Sequence, residues 1–501
     1  MNQSNSPVRP KPNLIFIMPD QLRADFLRPY GCEAIPTPNL DALCEQATVY
    51  DSAYSMCPLC VPARAALITG LNPLHSGVLS NHQWLRPDRH QMGLRTWPEL
   101  LREAGYWTAA YGKMHFHPFE SAEGFDERVI AEDKRWVGVH DDYAEHLAEH
   151  GLTKFDATAH PDYAANMGAV AFPYDVEFTG DRFVSRQAAD FIRRQPGDRP
   201  FALMIGFPSP HCPYDALPEY AAQVNEAALP SLLDSPDVPK QFWHEYMDRF
   251  ITNHKRDWHG IDYSNFTREA RQRIRVQYAG LICQLDEEIG RVMDACREKG
   301  IWDNTLFVVT SDHGDHVGDR GLVGKGDFFE ESIHIPLIAK MPGQQKAERC
   351  QALVELQQVP PTLLQMAGIS LPRWWDYQPL PGAGEPADPD TFYFGILNDT
   401  CMVRKGPWKL SDYQVGAFSY LVNLDEDPQE EHNRLNDPTC TAIRIELSDA
   451  LRGWMHRNSF RGHTEKHLTI KGGLARDKGF GRVGWQWGYP LSVYGEGSVR
   501  A

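Results

Sequence analysis

The chain predicts an α/β fold: a large, mostly parallel sheet sandwiched by helices, followed by a smaller C-terminal α+β subdomain. Three observations carry this. Short, fully apolar runs alternate with amphipathic helical segments over the first 375 residues, the pattern of strands buried on both faces. Acids and histidines stand directly after several of those runs, where the carboxyl edge of such a sheet gathers its chemistry. After about residue 375 the texture changes to short strands, turns and a helix. A length of 501 residues suits one large domain with a smaller one appended. We divide it at 1–375 and 376–501.

Taken in order, residues 1–12 are a polar, proline-containing lead. NLIFIM, Asn13 to Met18, is a buried strand that breaks at Pro19 and Asp20. TPNLDALCEQA from Thr37 and TWPELLREAGY from Thr96 read as capped amphipathic helices, the second running into a strand near Trp107 to Tyr111. RFVSRQAADFIRRQ from Arg182 is helical, and FALMIGF from Phe201 is a strand. Residues 268–298 carry a long helical pattern. TLFVVTSDHGD from Thr305 is a strand that ends in polar residues, IPLIAKMPG from Ile335 another strand, and VPPTLLQMAGI from Val359 a helix. Trp374, Trp375 and several prolines make a linker-like stretch. TFYFGILNDTCMVRKGPWKL and SYLVNLDEDPQEE then read as short strands, with a helix near Thr441 to Arg457. No internal repeat or coiled coil is present, and the last forty residues are rich in glycine and aromatics.

Composition narrows the function. Apolar residues at 42% and charged residues at 23% are ordinary for a globular protein. Against 50 basic residues stand 67 acidic ones, a formal net charge of -17. That balance argues against a nucleic-acid partner, while a few local cations can still hold a small anion. The apolar run Leu14 to Met18 is shorter than a secretory leader's core or the roughly twenty residues of a membrane helix. We therefore expect a cytoplasmic protein with no membrane partner. The ten cysteines are scattered and do not form a disulfide framework.

The stretch MCPLCVPARAALITG, Met56 to Gly70, holds Cys57 and Cys60 in C-x-x-C spacing. A redox pair would need a thioredoxin-like unit, and a zinc knuckle a second matching pair. Neither is here, which leaves two buried thiols as the plain reading until the residues after Cys60 are considered. Cys60-Val61-Pro62-Ala63-Arg64, followed by Thr69-Gly70, resembles the signature of the formylglycine-dependent sulfatases of the alkaline phosphatase superfamily, C-x-P-x-R with a later Thr-Gly. The commonest form has Ser where this chain has Ala63. Only Cys60 fits the register, and Cys57 is its neighbour.

The resemblance implies that Cys60 is oxidised to Cα-formylglycine. One hydroxyl of the hydrated aldehyde attacks sulfur and forms a sulfate ester. The other loses its proton, and collapse of the hemiacetal expels sulfate. A serine could take the first step only. Pro62 suits a first helical turn, which places the nucleophile at a helix N-terminus that favours an anion. Arg64, one turn on, can point back at the modified side chain.

The resemblance extends along the chain. Asp20 and Gln21 stand where the family has its first metal carboxylates, with Asp-Gln in place of the common Asp-Asp. SDHGD, Ser311 to Asp315, matches the second metal pair, Asp312 and His313. Asp20, Asp312, His313 and an oxygen of modified Cys60 would then hold one divalent cation, with Gln21 a neutral ligand or substrate contact. Oxygen ligands suit Ca²⁺, while the amide and imidazole move the preference toward Mn²⁺. YGKMHF resembles the family's G-K-x-H, making Lys113 a sulfate ligand and His115 the group that takes a proton from the formylglycine hydroxyl. PSPHCPY supplies His211, matching the leaving-group histidine, and Lys325 matches the second substrate lysine. Asn81 occupies a position that reaches substrate in related members. The C-terminal VRKGPWKL and YLVNLDEDPQEEHNRLNDP resemble the family's small antiparallel sheet, so the likeness spans roughly residues 12–460.

The function implied is hydrolysis of a sulfate monoester by S–O cleavage. The nearest alternative is a phosphonate monoester hydrolase or phosphodiesterase. Those relatives share the nucleophile, Asp-Gln and C-x-P-A-R, but carry Tyr and Thr in place of the G-K-x-H pair. Lys113 and His115 favour sulfate. A non-catalytic ligand-binding protein is the remaining alternative, and the full set of site residues argues against it. The expected partners are a small-molecule sulfate ester, with sulfated sugars among the candidates, and a formylglycine-generating enzyme. A homo-oligomer is open. Loops at His82–His90, Glu132–Asp175 and Asn253–Tyr263, with Trp84, Trp136 and Trp258, are long enough to shape the pocket for the organic half.

Overall fold

The structure, a computed structural model, describes residues 11–86, 89–234, 261, 263, 266–386, 388–397, 400–413 and 419–474. Trp258 with most of its loop, and residues 475–501 of the tail, lie outside the described residues. The larger sheet has eight strands: β1 (Asn13–Ile17), β2 (Thr48–Tyr54), β3 (Trp107–Gly112), β4 (Glu127–Ile130), β5 (Phe201–Gly206), β6 (Thr305–Thr310), β7 (Leu337–Lys340) and β8 (Glu348–Glu355), in the order β4-β3-β5-β1-β6-β7-β2-β8. All pair in parallel except β7, which runs antiparallel to both β6 and β2. The sheet is therefore mixed and mostly parallel.

Period-two alternation divides the strand side chains between two cores. Ile15, Ile17, Leu203, Ile205, Phe307 and Val309 face one side, under the helices Pro38–Cys44, Gly180–Arg194 and Arg268–Glu298. Leu14, Phe16, Ala202, Met204, Leu306 and Val308 face the other, under Cys60–Thr69, Trp97–Glu103 and Val359–Met366. Burial on both faces is why these strands read as unbroken apolar runs. The Trp97–Glu103 helix opens with a capping box in which Thr96 and Glu99 serve each other's backbone.

The C-terminal subdomain is a four-stranded antiparallel meander, β9 (Phe392–Leu397), β10 (Thr400–Lys405), β11 (Trp408–Tyr413) and β12 (Tyr420–Asn423). Ile396, Val403, Leu410 and Leu421 pack with Leu447 and Leu451 of the helix Thr441–Leu474. Buried Lys409 ties this sheet to the larger domain, donating to the Phe328 carbonyl at 2.8 Å and to Glu330 at 2.7 Å. Among the described residues no helix is long and apolar enough to cross a membrane.

Candidate active site

Five elements bring their chemistry to the carboxyl edge of the larger sheet. Beyond β1, the chain extends its pairing with β5: the Asp20 amide donates to the Phe207 carbonyl at 3.0 Å, and Asp20 bridges Pro210. Gln21 then turns through a left-handed conformation, φ 71°, a strained state for a side chain with a Cβ. Tyr278 of the long Arg268–Glu298 helix holds that turn by donating to the Gln21 carbonyl at 2.6 Å. Beyond β6, the Ser311 hydroxyl accepts the Leu22 amide at 2.8 Å and fixes the two loops together. Beyond β3, Lys113 enters through a close backbone approach: a Cβ on Gly112 would collide with the Gly206 carbonyl, and that carbonyl accepts the Lys113 amide at 2.8 Å. His115 also has a left-handed backbone, φ 56°. Cys60 is the first residue of a helix with all ten positions buried.

Asp20, Cys60, Asp312 and His313 are buried and place one ligand atom each within 4.8 Å of one another. Their atoms divide by direction. Asp20 Oδ1 lies 3.9 Å from Cys60 Sγ and 3.7 Å from His313 Nε2. Asp312 Oδ1 lies 3.7 Å from the same nitrogen, which is 3.2 Å from Sγ. The two Oδ2 atoms face cations instead: Lys113 reaches Asp20 at 2.5 Å, and Arg64 reaches Asp312 at 2.9 Å and Asp20 at 3.6 Å. Two carboxylates, an imidazole and the side chain of residue 60, converging with one set of atoms and braced through the other, fit a divalent cation.

The remaining sequence-selected residues surround this cluster. Arg64 donates to Asp312 and to the Lys113 carbonyl at 2.5 Å, so its hydrogen bonds brace the acids rather than residue 60. His211 follows a cis Ser209–Pro210 bond, with a second cis bond at Cys212–Pro213. Its Nδ1 donates to the Cys212 carbonyl at 2.7 Å, and its Nε2 accepts from Lys325 at 2.8 Å. The Gln21 amide oxygen also accepts from Lys325, and its NH₂ donates to Asp315. The Gln21 side chain thus holds Lys325. The Asn81 side-chain oxygen accepts the Val61 amide at 3.1 Å, which caps the Cys60 helix where Leu59 gives no side-chain cap.

The electrostatics separate the two cysteines. Burial raises the Cys60 thiol, yet Lys325, His313, His115 and His211 together hold it well below the ordinary range. Burial raises the Cys57 thiol and Glu355 adds to it. Burial and the Cys60 sulfur also work against charge on Asp20, but the Lys113 and Arg64 cations hold it below the usual carboxylate range. Burial and Lys325 hold the His211 imidazole well below its ordinary value. For His115, burial and Lys113 oppose charge, and Asp133 and Cys60 overcome them, raising it.

Sequence reasoning did not assign Glu132, Asp133, Arg135 and Asp315. Asp133 is buried between Lys113 at 2.6 Å and Arg135 at 2.5 Å. Asp315 accepts from Tyr214 at 2.8 Å as well as from Gln21. Asp315 stands inside the SDHGD motif. Glu132 to Arg135 form a charge run, which in a sequence resembles a solvated loop.

Known proteins similar to this chain identify its family. The family model described as Sulfatase matches residues 12–369, and one described as N-sulphoglucosamine sulphohydrolase, C-terminal, matches residues 318–457. The chain belongs to the sulfatase family and is a sulfuric ester hydrolase. It is 30% identical to a choline-sulfatase of Rhizobium meliloti over 87% of this chain and 86% of that one. It is 29% identical to an arylsulfatase of Clostridium perfringens, over 85% of this chain and 90% of that one. Among solved structures, the phosphonate monoester hydrolase of Agrobacterium radiobacter superposes with a TM-score of 0.74 at 22% identity, covering 89% of this chain and 96% of that one. That likeness is one of fold.

Proposed function

We propose that the chain hydrolyses a sulfate monoester by S–O cleavage, with Cys60 matured to Cα-formylglycine and one divalent cation, Ca²⁺ or Mn²⁺, held by Asp20, Asp312, His313 and residue 60. The observation that carries this is the convergence of those four residues within 4.8 Å, all buried. The hydrated aldehyde supplies a nucleophilic hydroxyl and a second hydroxyl that lets sulfate leave. When bound, the cation would supply positive charge to the sulfate oxygens.

The chain's own residues do the rest. Lys325 is held by neutral groups, the Gln21 amide oxygen and His211 Nε2. Its charge is therefore available to a sulfate oxygen in a site from which water is largely excluded. Lys113 brings a second ammonium, already positioned by Asp20 and Asp133. His211 spends its Nδ1–H on the Cys212 carbonyl and turns Nε2 to Lys325, so a proton taken up from Nζ would sit on Nε2 and pass from that same atom to the departing oxygen. Neither ring nitrogen of His115 has a hydrogen-bond partner, which leaves it able to take a proton from residue 60. Maturation removes the Cys60 thiolate, one of the charges that raise His115. Trp136, whose ring lies 4.8 Å from that of His115, and Trp84, 44% exposed and packed on His117, offer flat surfaces to an aryl or sugar group. We keep residues 1–375 as the part that carries this chemistry, 376–501 as the C-terminal subdomain, and a formylglycine-generating enzyme as the maturation partner.

A phosphonate monoester is the second reading, favoured by the fold likeness and by the shared Asp20-Gln21 and C-x-P-A-R residues. The test of the first is a peptide mass of Cys60 alongside activity toward an aryl sulfate, before and after chelation. We expect the aldehyde at residue 60, loss of activity on chelation, and its return with Ca²⁺ or Mn²⁺. Full activity from a chain whose Cys60 is unmodified would contradict the reading.

A further inference from the structure

The segment Glu132–Trp136 follows β4, the edge strand of the larger sheet, and sends consecutive side chains to different parts of the site. Glu132 accepts the backbone amides of Met114 at 3.2 Å and His115 at 3.1 Å. Asp133 Oδ2 accepts from Lys113 at 2.6 Å and lies 3.7 Å from His115 Nε2. Lys134 donates to the Pro213 carbonyl at 3.0 Å and to Asp215 at 2.6 Å, in the loop that carries His211. Arg135 donates to both oxygens of Asp133, at 2.7 and 2.5 Å. Trp136 covers the His115 ring. Five residues therefore fasten the Lys113–His115 loop and the His211 loop to one edge strand.

From this geometry we propose that Asp133 is a positioning residue, which shares the Lys113 ammonium with Asp20 and so sets it for sulfate. This rests on the sulfatase reading of the site. Lys113 is wholly buried, and a buried ammonium requires paired negative charge. Its two partners are Asp20 Oδ2 at 2.5 Å and Asp133 Oδ2 at 2.6 Å, on either side. Asp20 has a second task, presenting Oδ1 to the cation. Without the Asp133 charge the whole demand of the ammonium falls on Asp20, and the two tasks compete. With it, the ammonium is shared and Nζ stays between the acids. Arg135 takes part of the Asp133 charge and fixes both its oxygens, so the carboxylate cannot turn away from Lys113.

The test is a double-mutant cycle on the full-length, metal-loaded enzyme with an aryl sulfate, using Asp133→Asn, Lys113→Ala and the pair. Inhibition by inorganic sulfate reports binding, and thermal melting reports folding. For Asp133→Asn we expect kcat/KM to fall about 100-fold, the scale of a misplaced reacting group. Sulfate inhibition should weaken in parallel, with the variant still folded at the assay temperature although its melting midpoint drops, since one member of a buried ion pair is removed. The double variant should be no worse than Lys113→Ala within about threefold, because coupled residues do not add. If Lys113→Ala is impaired while Asp133→Asn keeps wild-type kcat/KM and sulfate inhibition, the proposal is overturned and the sulfatase reading stands. Additive losses in the double variant also overturn it, since Asp133 would then act other than through Lys113. A Lys113→Ala enzyme at the wild-type rate removes the reading underneath. Should Asp133→Asn fail to fold, Asp133→Glu carries the test: its carboxylate keeps the ion pair but is displaced by a methylene. A kcat/KM loss of about tenfold or more is expected, and a wild-type rate overturns the proposal.

Discussion

Cys57 and Cys60 are both completely buried, three positions apart, and their thiols are driven in opposite directions. Cys57 meets burial and an acid. Cys60 sits at a helix N-terminus under three imidazoles, His115, His211 and His313, and Lys325. Cys60→Ala should abolish turnover of an aryl sulfate. Cys57→Ala should keep it, with a loss of stability of about 1 kcal/mol from a small buried cavity. A Cys57→Ala enzyme as inactive as Cys60→Ala would contradict this assignment of the nucleophile. The groups legible in the sequence were those whose chemistry dictates both residue type and local spacing: Cys60 with Arg64, Lys113 with His115, Asp312 with His313. Asp133 and Asp315 were not legible, because each works through another side chain brought in by the fold. Gln21 was legible in place but not in partner. Its left-handed backbone turns the amide to Lys325 and Asp315. Asn81 was likewise placed near the site, and its side-chain oxygen caps the Cys60 helix.

At the scale of elements, the short helix Pro38–Cys44 takes its N-terminal cap from outside itself. Thr37 gives no side-chain cap, and Asp286 of the long helix accepts from the amides of Asn39 at 3.0 Å and Leu40 at 2.8 Å. Burial raises the Asp286 carboxyl against those bonds, from 3.8 to about 6. The folded state then holds this proton more tightly than the unfolded chain, so its contribution to stability falls as pH rises from about 4 to about 6. Asp286→Asn should remove that fall, worth at most about 3 kcal/mol. Urea unfolding at pH 4 and pH 7 measures it, and an unchanged pH dependence in the variant would contradict the assignment. The apolar runs of β1, β3, β5, β6 and β7 were legible because strands buried on both faces cannot be mistaken for surface. β2, β4 and β8 were not: β2 carries Asp51 and Ser52, β4 is half-exposed, and β8 alternates exposed and buried positions at the sheet edge. The reversal of β7 leaves no trace in an apolar run, which has no direction of its own.

Across the whole molecule, a chain of net charge -17 concentrates Arg64, Lys113, Arg135 and Lys325 around one buried cluster. A global acidic balance therefore coexists with a local gathering of cations. The two-sided core fixes where five loops emerge, and the Lys409 tie holds the small sheet against the loop at Phe328 and Glu330, close in sequence to Lys325. The α/β class and the change of texture near residue 375 could be read from the alternation of apolar runs and its end. The gathering of Asp20 and Asp312 at one sheet edge could be read from their places after apolar runs, and Cys60, Lys113 and His211 from the resemblance; the strand order that delivers them could not, since it is set by packing between distant segments. The proposed preference for sulfate over a phosphonate rests on Lys113 and His115. The most direct measurement is kcat/KM for an aryl sulfate against an aryl phosphonate monoester, on one batch with Cys60 confirmed as the aldehyde. A clear preference for the sulfate is the expected result. A preference for the phosphonate would contradict the assignment of Lys113 and His115 as the residues that select the substrate.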